Sequence, residues 1–222
     1  MNTPHQHFQD IADRYDYWKE KNAYYYENIR RMLREHVPAH VRVVEIGTAT
    51  GDILASLKPS AGLGIDVSEG MVAIARSKHA NEPNLRFAAM DIAERREPFD
   101  TDWIVIVDVL EHVPDLPAFM RDLARLTPMN ARVFVSVANP LWEPVLMLTE
   151  KLGMKMPEGP HWRLSVRENE EIFRSAGFRI AEKGYRLLVP KRIPGSDWLN
   201  ERFWRWPMLP RLGWVVYWVI EQ

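Results

Sequence analysis

Cysteine is absent from this chain of 222 residues. Without a thiol, the protein can form no disulfide, no thiolate nucleophile and no cysteine-ligated zinc site. Neither sign of charge dominates, because the formal net charge is −1 at pH 7. A nearly neutral chain lacks the positive charge with which proteins neutralise the phosphates of nucleic acids. We therefore expect no nucleic-acid partner.

Long apolar runs are missing as well. The run from Trp214 to Ile220 is far shorter than the roughly 18 residues that a membrane span requires. The first residues of the chain also lack the apolar core of a signal peptide. We therefore expect a cytoplasmic protein. Apolar residues make up 46% of the chain, which is typical of one globular domain over residues 1–222.

Strand-like and helical segments alternate through the middle of the chain. Apolar runs predict five strands with helices between them, at 42–46, 62–66, 85–88, 103–108 and 132–138. The segment WIVIVD at 103–108 is apolar almost throughout, which is typical of a central strand covered on both faces. This alternation predicts an α/β fold with a parallel sheet and right-handed crossovers.

The two ends of the chain depart from this alternation. Apolar residues at helical spacing predict a helical region over 8–36. After the fifth strand, the pattern predicts helices at 141–152 and 166–175, then a strand at 178–189. The segment 190–213 is predicted to be irregular, and the final VVYWVI suits a closing strand.

The stretch from Val43 to Asp52 has the pattern of a buried strand, a turn of small residues and a helix start. Asp66 follows Gly47 by nineteen residues and ends the next predicted strand. In α/β sheets this arrangement forms a pocket for an adenosine-containing cofactor, and the acid binds the ribose hydroxyls. Dinucleotide enzymes and S-adenosylmethionine enzymes share it.

The composition of the turn separates these two cofactors. A pyrophosphate needs space and backbone donors, which three glycines usually provide. Here the residues TAT stand between Gly47 and Gly51, and the carboxylate of Glu45 faces the turn. A carboxylate repels a pyrophosphate and attracts an ammonium group. The turn therefore favours S-adenosylmethionine over a nicotinamide dinucleotide.

Four motifs in order, EIGTATG, GIDVS, AAMDIAE and DVLEHV, resemble those of the class I S-adenosylmethionine-dependent methyltransferases. The resemblance covers about residues 41–138. It implies a Rossmann-like, seven-stranded, mostly parallel sheet with helices on both faces and an antiparallel last strand. The cofactor-binding residues that it implies are Glu45, Gly47, Thr48, Gly51, Asp66, Val67, Met71, Asp91, Ile92, Asp108 and Val109.

The resemblance also divides the domain into functional parts. In this class the N-terminal helix often covers the cofactor, so residues 1–40 are expected to form a helical lid. Residues 41–138 form the cofactor-binding core, and residues 139–222 the substrate side. Ala49 stands where the family usually has glycine, and its methyl group is expected to narrow the turn. This leaves open a non-catalytic alternative, in which the chain binds the cofactor as the partner of a glycosyltransferase.

Candidate catalytic residues follow from the chemistry of methyl transfer. The nucleophile must be held about 3 Å from the methyl group, and a hydroxyl nucleophile also needs a base. His112 follows the fourth strand, at the sheet edge where α/β proteins bind ligands. His161 lies on a later loop, and Tyr25 is one of three consecutive tyrosines that cannot all face the same side of a helix. Each of these residues also fits a purely structural role.

Asp108, Glu111 and His112 form a D-x-x-E-H cluster. Some O-methyltransferases of this class, including ubiquinone-pathway enzymes, carry a metal site of similar pattern. Hard oxygen ligands with imidazole suit Mg²⁺ or Mn²⁺. A divalent-metal-dependent O-methyltransferase that uses these three residues and His161 is therefore an alternative, although the sequence favours a reaction without a metal.

Tryptophan is concentrated near the C-terminus, where the last 25 residues hold five of the nine. Aromatic rings flanked by arginine, as in 190–213, suit peripheral contact with the inner face of a membrane. They equally suit a lid or a homodimer interface. The whole pattern also resembles methyltransferases associated with bacterial glycan and glycolipid assembly. We therefore expect methylation, preferably of oxygen, on a small-molecule, sugar or lipid-linked acceptor.

Overall fold

The structure, a computed structural model, describes residues 3–153, 156, 159–203 and 210–222. Seven strands form one sheet within these residues. They are β1 (Arg42–Ile46), β2 (Ala61–Asp66), β3 (Leu85–Ala89), β4 (Trp103–Val107), β5 (Arg132–Ala138), β6 (Arg179–Arg186) and β7 (Val215–Glu221).

The order of these strands is β3–β2–β1–β4–β5–β7–β6. Pairing is parallel from β3 to β5, whereas β7 runs antiparallel to both β5 and β6. The predicted α/β class, the seven strands and the antiparallel last strand are confirmed. The order reverses between β1 and β4, and this is where open α/β sheets bind ligands.

The described residues also form eight α-helices, and the local sequence explains several of their ends. Ser68 and Asp115 cap two helices, and Ser165 forms a capping box with Glu168 at a third. No helix in these ranges has the length and apolarity to cross a bilayer. The helices are α1 (Pro4–Lys21), α2 (Ala23–His36), α3 (Asp52–Ser56), α4 (Glu69–Lys78), α5 (Leu116–Leu126), α6 (Glu143–Lys151), α7 (Val166–Ser175) and α8 (Ser196–Arg202).

Two apolar layers cover the two faces of the sheet. Leu33 of α2 packs in the layer that contains Val105, and Leu123 of α5 packs in the layer that contains Ile104 and Ile106. Neighbouring residues of β4 thus enter opposite layers, because side chains alternate along a strand. Every residue of β4 is buried, as expected for a central strand. The carboxyl end of β4, where ligands bind in such sheets, is therefore held by a packed core.

The predicted helical region at 8–36 is two helices separated at Asn22. The Asn22 side chain donates a hydrogen bond to the carbonyl of Trp18 at 3.1 Å. α1 packs on the start of α4, where Gln9 accepts hydrogen bonds from the Ser68 hydroxyl at 2.9 Å and from the Gly70 N–H at 3.0 Å. These contacts hold α1 over the carboxyl ends of β1 and β2.

The prediction that 190–213 is irregular was wrong in part, because the segment contains α8. The Tyr24 hydroxyl of α2 donates to Asp197 at 2.8 Å, and the Asn200 amide donates to Tyr24 at 3.0 Å. A helix this short depends on such tertiary contacts rather than on local periodicity, so the sequence pattern did not indicate it. Trp204 and Trp206, on which the interpretation of the tail partly relied, lie outside the described residues.

Three residues of the turn between β1 and α3 have positive φ: Gly47 at 75°, Ala49 at 46° and Gly51 at 82°. A Cβ atom on Gly47 would lie 2.3 Å from Cγ2 of Val109, so this position requires glycine. Alanine at Ala49 adopts a left-handed conformation that costs an L-residue roughly 1–2 kcal/mol. The turn therefore stores strain at this residue.

We expect Ala49→Gly to raise the free energy of unfolding by about 0.5 kcal/mol. Relief of the left-handed strain exceeds the entropy that glycine adds to the unfolded chain. Urea denaturation followed by circular dichroism measures the change. Ala73→Gly, on the exposed side of α4, is the matched control and should lower stability by about 1 kcal/mol. Similar losses in both variants would show that the turn is unstrained.

Candidate functional site

A cavity of about 340 Å³ lies at the carboxyl ends of β1, β2 and β4, beneath α1. Its walls are largely apolar, with a few carboxylates at the strand ends. Ten of the eleven predicted cofactor residues line it, and Gly51 does not. The lining residues used below are Phe8, Tyr15, Lys19, Tyr26, Glu45, Gly47, Thr48, Asp66, Val67, Met71, Asp91, Ile92, Asp108, Val109 and His112.

Gly51 allows the tight turn between β1 and α3. It precedes α3, and a Cβ atom there would lie 2.7 Å from the ring of Phe87. Its positive φ and this close packing both require glycine. Gly51 thus bends the chain towards α3, and its direct contact with the cofactor stays a prediction.

The Glu45 carboxylate is buried at the end of β1, with 1% of the residue exposed. The Thr48 hydroxyl donates to it at 2.6 Å, and the Leu54 N–H donates at 3.2 Å. Burial raises the pKa of Glu45 from 4.5 to about 8, although both hydrogen bonds oppose the shift. A carboxylate in this position is suited to pair with a cation that enters the cavity.

The Asp66 carboxylate ends β2 on the other side of the turn. One of its oxygens accepts from the Ala49 N–H and the other from the Ser68 N–H, each at 2.9 Å. Burial raises the pKa of Asp66, and these backbone donors oppose the shift. Each carboxylate oxygen can accept a second hydrogen bond. Asp66 can thus bind a ligand hydroxyl while it fixes the turn.

Asp91 and Ile92 form the far wall of the cavity after β3. The Asp91 carboxylate accepts from the Ala93 N–H at 2.9 Å and so caps a short 3-10 helix, Ile92–Glu94. Met71, in the first turn of α4, is buried beside them. A flat apolar group such as a purine ring fits between these side chains, with the carboxylate at its edge.

The three consecutive tyrosines face three directions, as their spacing required. Tyr24 bonds to α8, Tyr26 lines the cavity, and the Tyr25 hydroxyl donates to Oδ2 of Asp108 at 2.7 Å. Tyr25 itself is not part of the cavity wall. Rotation of about 100° per residue along α2 directs Tyr26 to the cavity and Tyr25 behind Asp108. A catalytic role for Tyr25 stays a prediction, and its contact with the cavity wall is made through Asp108.

His112 lines the cavity at its acceptor-side edge. Its Nδ1 lies 3.3 Å from the carbonyl oxygen of Pro160. A carbonyl only accepts, so Nδ1 carries the hydrogen and Nε2 is the basic atom of the ring. The ring also meets the ring of Phe8 edge-on at 4.9 Å. Burial lowers the pKa of His112 to about 4, so the imidazole is neutral at pH 7.

His161 does not line the cavity. Its Nε2 lies 3.2 Å from a Glu143 carboxylate oxygen at the start of α6, and its Nδ1 lies 3.0 Å from the carbonyl of Gly159. These contacts hold the loop beside His112, and a catalytic role for His161 stays a prediction. The loop was too irregular for the sequence to show which way this side chain turns.

The side chain of Arg163 lies beside the acids of the D-x-x-E-H cluster. The guanidinium of Arg163 pairs with Glu143 and lies close enough to Glu111 and Asp108 to be stabilised by their charges. Within the described ranges, no group of three or more histidines and acids is placed to hold a metal ion. The predicted set of Asp108, Glu111, His112 and His161 is therefore not gathered as a metal site in this arrangement.

Lys19 was missed by the sequence reasoning. It lines the cavity from α1, yet only 9% of the residue is exposed. Its Nζ donates to the Thr50 hydroxyl at 3.1 Å and to an Asp52 carboxylate oxygen at 2.5 Å. The signal was present, because Lys19 follows Tyr15 by one helical turn and so shares its buried face.

Comparisons with known proteins show to which family this chain belongs. The family model for the methyltransferase domain matches residues 17–183. A ubiquinone biosynthesis O-methyltransferase from Neisseria meningitidis is 28% identical over 197 residues, which cover 79% of this chain and 81% of that protein.

Solved structures show the same fold. A protein from Thermotoga maritima, described as an S-adenosylmethionine-dependent methyltransferase and possible histamine N-methyltransferase, has a TM-score of 0.74 at 18% identity, covering 98% of this chain and 99% of that one. The N-methyltransferase NodS from Bradyrhizobium japonicum, solved with S-adenosylhomocysteine, has a TM-score of 0.65 at 13% identity, covering 99% and 98%.

The family match spans most of the chain and includes β1, the turn after it and the ends of β2 and β4, which together form the cavity. The acidic and glycine positions of that cavity fit S-adenosylmethionine. The chain belongs to the methyltransferase-domain family and is a class I S-adenosylmethionine-dependent methyltransferase.

Proposed function

We propose that the protein methylates a hydroxyl oxygen of a small-molecule, sugar or lipid-linked acceptor. One observation carries the proposal: a neutral histidine, His112, lines the same cavity as the predicted cofactor residues, and its Nδ1 is occupied by the Pro160 carbonyl, which leaves Nε2 as the basic nitrogen. A hydroxyl nucleophile needs such a proton acceptor, whereas an unprotonated amine does not. The relative named as an O-methyltransferase supports oxygen as the acceptor atom.

Several residues would hold the cofactor. Glu45 would pair with its ammonium group, and the Lys19 ammonium at the same end would pair with its carboxylate. Asp66 would bind the ribose hydroxyls, and Met71 and Ile92 would enclose the adenine. The remaining residues implied by the resemblance, namely Gly47, Thr48, Val67, Asp91, Asp108 and Val109, line the cavity between these points.

When bound, S-adenosylmethionine supplies an electrophilic methyl group, which the acceptor oxygen receives as the carbon–sulfur bond breaks. The hydroxyl proton is then transferred to Nε2 of His112 and from there to water. The hydrogen bond from Nδ1 to Pro160 fixes the ring for this transfer. Because Phe8 packs against the ring, we infer that the acceptor has an apolar part beside its hydroxyl.

The alternatives stay predictions. A metal-dependent reaction would require Asp108, Glu111, His112 and His161 to rearrange around an ion. A non-catalytic partner of a glycosyltransferase would bind S-adenosylhomocysteine without turnover. A homodimer and membrane contact through 190–213 also remain predictions, as does the lid role of residues 1–40.

Deuteromethyl-labelled S-adenosylmethionine tests the proposal. The enzyme is incubated with the labelled cofactor and cell extract, and mass spectrometry should find a new product with a labelled methyl on oxygen. A label on nitrogen or carbon would contradict the assignment of the acceptor atom. Binding of S-adenosylhomocysteine without any labelled product would favour the non-catalytic partner. Loss of activity with chelator, restored by Mg²⁺, would favour the metal-dependent enzyme.

His112→Ala should lower kcat about 100-fold and leave the affinity for S-adenosylhomocysteine within a factor of a few, because the base acts on the acceptor. Activity assays and calorimetry measure the two quantities. The matched control is His40→Asn, which changes an exposed histidine between α2 and β1 that does not line the cavity. Equal kcat in His112→Ala and the unmodified enzyme would return His112 to a structural role.

Asp66→Asn should weaken the binding of S-adenosylhomocysteine at least about tenfold, because the amide replaces a charged acceptor of the ribose hydroxyls. Isothermal titration calorimetry measures the affinity, and thermal unfolding shows whether the turn is intact. Asp102→Asn is the control, since Asp102 pairs with Arg42 at the opposite end of the sheet. Unchanged affinity in Asp66→Asn would show that the ribose lies elsewhere.

Cofactor binding should release a proton from Glu45. In the free protein, burial raises the pKa of Glu45 from 4.5 to about 8. Protonated Glu45 therefore contributes to the free energy of unfolding. This contribution is complete below pH 4.5 and is lost as the pH rises through 8. A bound ammonium group stabilises the carboxylate and lowers its pKa. The affinity for S-adenosylhomocysteine should therefore rise with pH and level off near pH 8.

Calorimetry at pH 7 in phosphate and in Tris measures this release, because the two buffers differ in ionisation enthalpy. The buffer takes up the released proton. The observed binding enthalpies should therefore differ by the difference between the two ionisation enthalpies, multiplied by about one proton. Glu45→Gln, which has no proton to release, should remove the difference. Equal enthalpies for the unmodified enzyme would show that Glu45 is already ionised before binding.

A further inference from the structure

The outward side of α6 and its flanks is apolar. Among the exposed residues from 141 to 152, six are apolar and one is charged. A surface helix normally turns its polar side to water and its apolar stripe to the core. Here Leu148 is 56% exposed and Leu152 is 64% exposed. We call this surface the α6 face; it consists of Leu141, Pro144, Val145, Met147, Leu148, Lys151 and Leu152.

Contacts on the inner side fix this orientation. The Trp142 ring stacks on Trp214 with centroids 4.8 Å apart, and its Nε1 donates to the carbonyl of Leu212 at 2.9 Å. Glu143 pairs with Arg163, and Leu146 is buried. The helix is thus anchored by polar and aromatic contacts on one side, and the apolar residues remain on the other.

Basic residues occur on the α6 face and near both ends of α6. Exposed Arg211 lies beside the Leu212 carbonyl that holds the start of the helix, and Lys151 is on the face itself. At the other end, the Lys21 Nζ donates to the carbonyl of Gly153 at 2.6 Å. The two acids of the helix, Glu143 and Glu150, are half-buried on its inner side.

The apolar surface continues beyond the helix. Lys191 donates to the side chain of Asn22 at 2.8 Å, next to the Lys21 that binds Gly153. The exposed segment 191–195 and the residues after α6 thus contact the same end of α1, and Ile193 is 55% exposed. Ile193 belongs to the segment 190–213, for which membrane contact was predicted, whereas the α6 face lies outside that segment.

We propose that the α6 face docks on a bilayer that contains anionic lipids, with α6 lying in the plane of the interface. An apolar helix face bordered by lysine and arginine is suited to this, because its side chains enter the acyl region while the cations meet lipid phosphates. A symmetric dimer through the same face would bring Lys151 and its basic neighbours together with their copies, and like charges would oppose it.

Docking would bring the acceptor side of the site to the membrane. Glu143, at the start of α6, holds His161 and Arg163, and the same loop supplies the Pro160 carbonyl that orients His112. The enzyme would then receive an acceptor that resides in the bilayer. This last step rests on the proposed methylation of a lipid-linked acceptor, whereas the docking itself does not.

Vesicle flotation tests the proposal with the full chain. The enzyme should float with vesicles of equal parts phosphatidylglycerol and phosphatidylcholine, and more weakly with phosphatidylcholine alone. Leu148→Glu should lower the partition coefficient at least about tenfold, because a charge replaces a membrane-buried leucine. Lys151→Ala should lower binding to the anionic vesicles about fivefold and leave binding to phosphatidylcholine unchanged.

Met129→Glu is the matched control. Met129 is 76% exposed and precedes β5, at the sheet end opposite the α6 face, so its change should leave flotation unaltered. Binding of S-adenosylhomocysteine without vesicles should be the same in all variants, which shows that each is folded.

Failure of the unmodified enzyme to float, or equal flotation of Leu148→Glu, would overturn the proposal. A dimer in light scattering that Leu148→Glu separates into monomers would assign the face to a second copy instead. Flotation as expected, with no labelled methyl product on any acceptor, would preserve the docking and reject the proposed function.

Discussion

The burial of one carboxylate at the end of β1 is the constraint around which the site is built. Glu45 is removed from water and receives hydrogen bonds from Thr48 and Leu54, yet its pKa remains raised. An ionised carboxylate in such a place is stable only beside a cation. The protein thus provides an incomplete ion pair, which the ammonium group of the cofactor would complete. The tight turn after β1 keeps that space open, since Gly47 leaves no room for a side chain against Val109.

The N-terminal helices supply the charge and the aromatic surface that β1 lacks. Lys19 of α1 lines the same cavity and lies close enough to Glu45 to oppose the rise in its pKa. A cation and a buried acid that would ionise on binding thus stand where a zwitterionic amino-acid group would bind. Polar contacts of Lys19 with Thr50 and Asp52, and of Gln9 with Ser68 and Gly70, help to hold α1 over this end. Such contacts can exchange for contacts with a ligand more readily than packed apolar side chains can. This is consistent with a helix that covers the bound cofactor.

The acceptor side is organised by a second group of charges. Arg163 balances the acids after β4 and pairs with Glu143, so the loop beside His112, the strand end and α6 form one connected unit. The chemistry of the site and the exposed apolar face of α6 are joined through these contacts. A shift of α6 would therefore move Pro160, whose carbonyl orients the His112 ring.

The sequence by itself determined the features that depend on neighbouring residues: the strands, the caps of Ser68 and Ser165, the glycine turn and the acids at strand ends. Such features follow from local periodicity and local hydrogen bonds. Ten residues that line the cavity were predicted to lie together because the carboxyl ends of parallel strands meet at one edge of the sheet. Only the tertiary structure decided that Tyr26 rather than Tyr25 lines the cavity, that His161 turns to Glu143, and that Lys19 reaches the site. These outcomes depend on contacts between residues far apart in the chain. Local sequence patterns do not specify which of several compatible residues a side chain will contact.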